Sequence, residues 1–429
     1  MSPSLSRPVT AVPAVDAARL LRRIDQLGNI GRDLVSGGVS RVGFGAADRE
    51  ARGYLIEEAR KAGLAAAVDA AGNIIIRASA GGAADGRPAL LMGSHLDTVV
   101  NGGRLDGAYG MLTALEVVET WEESGIEGRY EPVAIAFSNE EGALFPQPFF
   151  GSMAVAGRLG GLPPEPRDHQ ERSLRGPLAE VGGDLDSLAD AAWPEGALAA
   201  YVEVHIEQGP VLERRGSRIG VVDGISGRSV STVEIQGSAG HAGTTPMEKR
   251  QDALTAAARV ILTAEGIARD RGLCRVATVG WLDLHPNSPN TIAETVRLTV
   301  DLRDTDARRM DDAEAALRDA LRAVSAETGT AVAVVARTRS EPVATSVELR
   351  AAIEESAREL GLPYETLPSG AGHDAQIIAT VAPVGMIFVP SIGGVSHVPE
   401  EDTAPADLVA GAQVLLHTAL RAAGARPRT

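Results

Sequence analysis

The sequence predicts an α/β protein: a mostly parallel sheet with helices on both faces, interrupted by an inserted α+β unit. Three observations carry that reading. Short apolar runs alternate with stretches of helical apolar spacing, the pattern of strands buried on both faces. Near Gly220 the pattern changes to half-exposed strands and charged helices, and after Pro342 the first pattern returns. The 429 residues also exceed what one hydrophobic core usually serves, so two domains are expected.

Taken in order, apolar positions recur at helical spacing among charges over residues 16–22 and 48–62. Residues 73–78 (NIIIRA), 89–93 (ALLMG) and 132–138 (PVAIAFS) read as buried strands, with a helix opening after Gly107 between the last two. Residues 201–207 (YVEVHIE) form a further strand. Then SVSTVEI, residues 229–235, alternates like a half-exposed strand. A helix over 247–269, strands near 276–282 and 296–303, a charged helix over 306–328 and a strand over 331–336 follow. This β-α-β-β-α-β order is that of a ferredoxin-like split unit. Residues 223–338 are therefore read as a domain inserted into a host made of residues 1–222 and 339–429. The host resumes with a helix over 346–360, a short helix after Gly372, a strand over 385–389 and a final helix from Ala404. The tail RAAGARPRT is expected to fray.

Composition narrows the function. Lysine and arginine number 41 against 57 acids, a formal net charge of −16, which argues against a nucleic-acid or anionic-membrane surface. A local basic pocket for a small acid survives that argument. Only 14 residues are aromatic (3 Trp, 5 Tyr, 6 Phe), so the cores rest on Ala, Val, Leu and Ile. The single cysteine, Cys274, excludes an intrachain disulfide and a four-thiolate zinc site. The opening MSPSLSRPVTAVP lacks the apolar stretch of a secretory signal, and no run of about 18 apolar residues predicts a membrane span. A cytoplasmic location is the simplest expectation.

Five of the eight histidines lie in Gly/Ser-rich turns or at strand ends: His95, His205, His241, His373 and His397. His169, His285 and His417, in a polar loop, a Pro-flanked turn and a helix, are read as having no role. His95 closes the ALLMG strand and is followed by Asp97 and Asp106, while the PVAIAFS strand runs into Asn139-Glu140-Glu141-Gly142. Acids and imidazoles thus gather at the carboxyl ends of parallel strands, where open α/β folds place their ligand sites. Mixed imidazole and carboxylate ligation suits a catalytic divalent metal with open positions for water and substrate. An aspartate such as Asp106 can bridge two ions, and of Glu140 and Glu141 one can bind metal while its neighbour handles protons. Taken singly, each residue has a plainer reading: a turn histidine, a capping Asp97, a solvated pair of glutamates. Together they point to a metal hydrolase.

The motifs GSHLDTVVNGGRLDGAYG, SNEEGALFPQPFFGS, HIEQGPVLE, GSAGHAGTTPM, PNSPNTIAETVRLTVDLRD, SGAGHDA and GGVSHVPEE occur in this order. The set resembles the hydantoinase/carbamoylase amidase family of the dinuclear zinc aminoacylase and carboxypeptidase superfamily. The earlier GGVSRVGFGAADREARGYL and GLAAAVDAAGN are similar to its N-terminal region, so the likeness runs over residues 37–405. The family includes N-carbamoyl-L-amino-acid hydrolases, allantoate and ureidoglycine-type amidohydrolases, and beta-ureidopropionases.

The resemblance implies that His95, Asp106 and His205 hold one divalent ion and Asp106, Glu141 and His397 the other. The pair would stand about 3.5–4 Å apart. Zinc is the first expectation, with manganese, cobalt or nickel as alternatives. Asp97 would orient His95, and Glu140 would be the general base that activates water and passes the proton to the leaving nitrogen. His241 would stabilise the oxyanion from the partner subunit of a homodimer. Gln208, Asn290 and Arg303 would contact substrate, Arg303 by clamping a carboxylate with its planar fork. The loop containing Gly372 and His373 would bind the same carboxylate. Two structural alternatives stand beside these roles: Arg303 can pair with Asp301 or Asp304, and Gln208 can cap a turn.

Where many carbamoylases have Ser-Arg, this chain has Ala143-Leu144, a departure that bears on the substrate side chain. The resulting expectation is hydrolysis of the ureido C–N bond of a small N-carbamoyl-L-amino acid. Allantoate-type hydrolysis shares every proposed ligand and is the nearest alternative. An aminoacylase or peptidase is a further one, and a metal-stabilised binding scaffold is the non-enzyme reading.

Overall fold

The computed structural model describes residues 13–78, 86–168 and 170–427. The expectations for residues 1–12 and for His169 lie outside the described residues. The chain divides into two compact units: residues 1–223, 345–367 and 373–429 form the first, and residues 224–344 with 368–372 the second.

The first unit is built on a sheet whose strands run in the order Leu64–Val68, Ile74–Ala78, Glu131–Phe137, Ala89–His95, Leu198–Ile206, Val384–Val389 and Ile219–Ile225. The four central strands, from Glu131–Phe137 to Val384–Val389, are parallel, whereas the strands flanking them pair antiparallel. The parallel part is the part whose strands are mostly apolar, with polar residues such as His95, Glu203 and His205 as exceptions. Every residue of Ala89–His95, Glu131–Phe137 and Val384–Val389 is buried, as strands covered on both faces must be.

Register puts the ends of these strands side by side. His95 pairs with Phe137, and Phe388 with His205, so the loops after all four central strands leave from one edge of the sheet. The helix Ala108–Glu123 is buried over almost its whole surface, packing Leu112, Leu115 and Val118 into the main core with Leu90, Met92, Val202 and Leu415. The helix Ala17–Gly28 is capped by the Asp16 carboxylate and docks through Arg19 and Arg23, which pair with Glu116 and Glu119.

The second unit is a four-stranded antiparallel sheet in the order Val276–His285, Thr295–Asp304, Gly227–Gln236 and Ala331–Ser340. With the helices Ala253–Arg269 and Ala307–Thr328 this completes the ferredoxin-like arrangement. Strand alternation sends Val233, Ile235, Val296, Leu298, Val300 and Leu302 to one face, against Ala256, Val260, Leu317 and Leu321 of the helices. Cys274 is a buried free thiol of this core.

Several elements depart from the sequence expectations. The helix expected over 247–269 is split: Met247–Lys249 is a separate 3₁₀ turn, and the α-helix opens only at Ala253, where the Asp252 carboxylate accepts from the amides of Leu254 and Thr255. Met247 is exposed, so the apolar spacing at that end does not mark a buried face. The strand Leu64–Val68 went unforeseen because LAAAV has almost no β-branched residues. The tail is not frayed over its described part, since Arg426–Pro427 pairs with Ile126–Glu127. Among the described residues, no helix is long and apolar enough to cross a membrane.

Candidate functional site

The loops leaving the parallel edge of the first unit bring His95, Asp97, Asp106, Glu140, Glu141, His205, Gln208, His373 and His397 together. Asp106 is the hub. Its Oδ1 lies 3.1 Å from His205 Nε2 and 3.5 Å from His95 Nε2. Its Oδ2 lies 3.2 Å from His397 Nε2, which in turn stands 3.5 Å from Glu141 Oε1. The Gln208 side-chain amide donates to the same Oδ2 at 2.7 Å. Among the described residues, three groups have metal-ligating spacing: His95, Asp106 and His205; Asp106, Glu141 and His397; and Glu203, His205 and His373.

The imidazoles are oriented by the backbone. His95 Nδ1 donates to the carbonyl of Asp97 at 2.8 Å, and His205 Nδ1 to the carbonyl of Ile206 at 2.9 Å. With a proton held at Nδ1, both rings present Nε2 to Asp106, the nitrogen a metal ion would take in place of a proton. His205 Nε2 accepts from the Gly107 amide at 3.1 Å, which fits a proton at Nδ1. Gly107 itself has φ +63°, and a Cβ there would fall 2.4 Å from the His95 ring, so only glycine lets the Asp106 loop close over the histidine.

The Asp97 carboxylate makes its hydrogen bonds elsewhere than with His95. It stands 3.8 Å from Nδ1, whereas its two oxygens accept the successive amides of Glu140 and Glu141, each at 3.1 Å. Asp97 thus orients His95 through its carbonyl and fixes the two glutamates through its side chain. The turn carrying the glutamates is strained, with Asn139 at φ +50°. Glu140 Oε2 comes 3.6 Å from His95 Nε2. Leu144 packs against the satellite cluster of Phe44, Phe145 and Phe150, so its apolar character has a structural use.

Electrostatics favours a cation at this hub. Burial opposes charge on His95, yet Glu140, Asp106 and Asp97 raise it well above the ordinary imidazole value. His205 is raised in the same way, against burial, by Asp106 and Glu203. Burial also opposes the Asp106 carboxylate, but His205, His397 and His95 hold it well below its usual range. Burial, reinforced by Glu141, Asp374 and Asp97 against the pull of His95, drives Glu140 well above the carboxylate range. A buried acid cluster of this kind is costly unless protons or metal ions neutralise it. Inward-facing Nε2 atoms, a two-sided carboxylate and a buried Glu141 Oε1 that accepts no hydrogen bond fit a divalent pair.

In the metal-free protein these shifts fix the sign of the pH dependence. Burial, with Asp106 beside it, raises Glu141 from 4.5 to about 7, so its stabilising contribution is lost as pH climbs through that window. The hydrogen bond with Asp106 raises His397 from 6.5 to about 9, a contribution complete below 6.5 and lost toward 9. The melting temperature of the chelator-treated chain is expected to fall from pH 6.5 to 9, and to fall less in His397→Ala. Parallel curves for the two proteins in thermal circular dichroism would contradict this.

His373 is buried, with its ring 4.7 Å from that of His205, and burial together with His205 holds it well below the ordinary imidazole value. Sequence reasoning missed Glu203, a charge in the middle of a buried strand, which accepts from Ser94 Oγ at 2.8 Å and from the Ala375 amide at 3.1 Å. It also missed Asp374 and Glu401, both buried. An acid flanked by valines inside a buried parallel strand was the one available signal for Glu203.

His241, Asn290, Arg303 and Gly372 belong to the second unit. His241 pairs with Thr291 in a short ladder, and the Ala242 amide donates to the Asn290 carbonyl at 3.0 Å, so the ladder sets His241 and Asn290 side by side. His241 Nδ1 accepts from the Gly243 amide at 3.0 Å, leaving the ring proton on Nε2. Arg303 takes up its structural alternative: Nε and Nη2 each meet Asp301 at 3.1 Å, and Nη1 donates to the Gly370 carbonyl at 3.0 Å. His285 lies at the end of an exposed strand, and His417 Nδ1 stands 3.7 Å from Glu359 on neighbouring helices.

The comparisons with known proteins agree with this architecture. The family model described as "Peptidase family M20/M25/M40" matches residues 91–421. An N-carbamoyl-L-amino acid amidohydrolase from Geobacillus stearothermophilus is 40% identical over 404 residues, covering 94% of this chain and 98% of the relative. An allantoate amidohydrolase from Escherichia coli is 35% identical over 384 residues, 89% of this chain and 92% of the relative. The crystal structure of an amidase of the hydantoinase/carbamoylase family from Burkholderia multivorans superposes with a TM-score of 0.86 at 36% identity, covering 96% of this chain and 98% of that one. The chain therefore belongs to peptidase family M20/M25/M40, as a hydrolase of its hydantoinase/carbamoylase amidase branch.

Proposed function

We propose that this amidohydrolase cleaves the ureido C–N bond of N-carbamoyl-L-amino acids, using two divalent ions, with zinc the first choice. His95, Asp106 and His205 would hold one ion, and Asp106, Glu141 and His397 the other. The observation that carries the reading is Asp106, whose two oxygens face different histidines at 3.1 and 3.2 Å. The 40% identity to an N-carbamoyl-L-amino acid amidohydrolase supports the substrate class.

Bound there, a divalent pair supplies Lewis acidity, polarising the ureido carbonyl and lowering the pKa of water. Glu140, raised by burial and by neighbouring acids, takes the proton of the attacking water. It returns that proton to the α-nitrogen as the C–N bond breaks, which releases the amino acid and a carbamate. The carbamate decomposes to ammonia and carbon dioxide. His241, with its proton on Nε2, is assigned to the charge developing on the carbonyl oxygen. Asn290 and Gln208 would supply amides to the substrate, and the loop of Gly372 and His373 would shape the carboxylate end. The homodimer implied by the family resemblance is part of this proposal.

Arg303 is assigned to the substrate carboxylate, shared with Asp301 in the present geometry. Arg303→Ala is expected to raise KM for N-carbamoyl amino acids about 10–100-fold, a charged hydrogen bond being worth about 1.5–3 kcal/mol. Uncharged ureido amides should be little affected, and equal losses on both substrates would contradict the clamp. The substrate class is tested by assaying metal-reconstituted protein on N-carbamoyl-L-amino acids, allantoate, N-acyl amino acids and dipeptides. The carbamoyl series is expected to give the highest kcat/KM; a higher value on allantoate would transfer the assignment to that branch.

A further inference from the structure

Glu401 stands outside the proposed ligand set, yet it joins two of its members. The side chain is buried, with the residue only 3% exposed, and it gathers donors from two distant stretches of chain. Oε1 accepts the amides of Leu105 at 2.9 Å and Asp106 at 3.0 Å. Oε2 accepts the Ser396 hydroxyl at 2.6 Å and the His397 amide at 3.4 Å. Ser396 Oγ also lies 3.0 Å from Asp106 Oδ2, so its one proton serves either Glu401 or the ligand carboxylate. The backbone makes room for this side chain: a Cβ on Gly103 would fall 2.0 Å from Glu401 Oε1. A carboxylate is the only side chain that offers an acceptor to both stretches at once, because glutamine would turn an N–H₂ toward one set of donors.

We propose that Glu401 is a positioning residue that fixes the spacing of Asp106 and His397 and so sets the affinity of the ion shared by Asp106, Glu141 and His397. The proposal rests on the metal reading of those residues. A second tether between the same stretches, the ion pair of Arg104 with Asp402 at 2.9 Å, touches no ligand and serves as the internal control.

The test is zinc binding to chelator-stripped, full-length protein, measured by competition with a chromophoric chelator. Wild type should bind two ions. Glu401→Gln should bind one of them about 10–100-fold more weakly, the usual cost of losing a group that orients a ligand. Arg104→Ala should keep both affinities. Should Glu401→Gln fail to fold, Ser396→Ala removes a single donor and should weaken the same ion severalfold. Equal affinities in wild type and Glu401→Gln, or an equal loss in Arg104→Ala, would overturn the proposal. A wild type that binds fewer than two ions would instead overturn the metal reading beneath it.

Discussion

Glu140→Gln is expected to lower kcat by about 10²–10⁴-fold, the range a positioned general base contributes, with metal content unchanged. The substitution keeps the shape of the side chain and removes its capacity to take a proton. Among the described residues Glu140 is not in the groups with ligand spacing, its amide is fixed by Asp97 whatever its side chain, and its Oε2 stands 3.6 Å from His95 Nε2. Metal content by elemental analysis and kcat by ammonia release check the two halves separately. Normal turnover would remove Glu140 from the base role, and loss of metal along with activity would make it a ligand.

Asp106→Asn should have the wider effect, because one substitution reaches both proposed ion sites. The variant keeps the volume and one oxygen but loses the charge and the two-sided geometry that face His205 and His397. Metal assistance to transition-state charge is worth several kcal/mol. At 1.36 kcal/mol per decade, its loss should lower kcat/KM by about a thousandfold or more. Wild-type melting temperature should climb on adding zinc, by linkage of binding to folding, whereas that of Asp106→Asn should hardly move. A variant that kept both ions would show that Asp106 is not their bridge.

The parts of the fold legible in the sequence were those with an unambiguous apolar pattern. ALLMG and PVAIAF are continuous apolar runs, and both lie in the central parallel sheet, buried on every residue. Since ligand sites form where such strands end, His95 and the Asn139–Gly142 turn were placed by the same reasoning. Two of the antiparallel flanking strands were harder to see: LAAAV carries little strand preference, and IGVVDGI is interrupted by glycine and aspartate. The residues that hold the site in shape were less visible still. Glu401 lies hundreds of positions from the Leu105 and Asp106 amides it accepts, so no local pattern announces it. Asp97 was marked for the right neighbourhood, but the division of work between its carbonyl and its carboxylate is a tertiary fact. Arg303 shows the reverse case, a charge whose pairing with Asp301 was readable from strand spacing alone.

Anomalous scattering from crystals of zinc-reconstituted protein tests the central claim most directly. Two peaks are expected, one beside each carboxylate oxygen of Asp106, the first reached by His95 and His205 and the second by Glu141 and His397. A single peak, or peaks that leave Asp106 outside their coordination, would contradict the two-ion site on which the proposed chemistry depends.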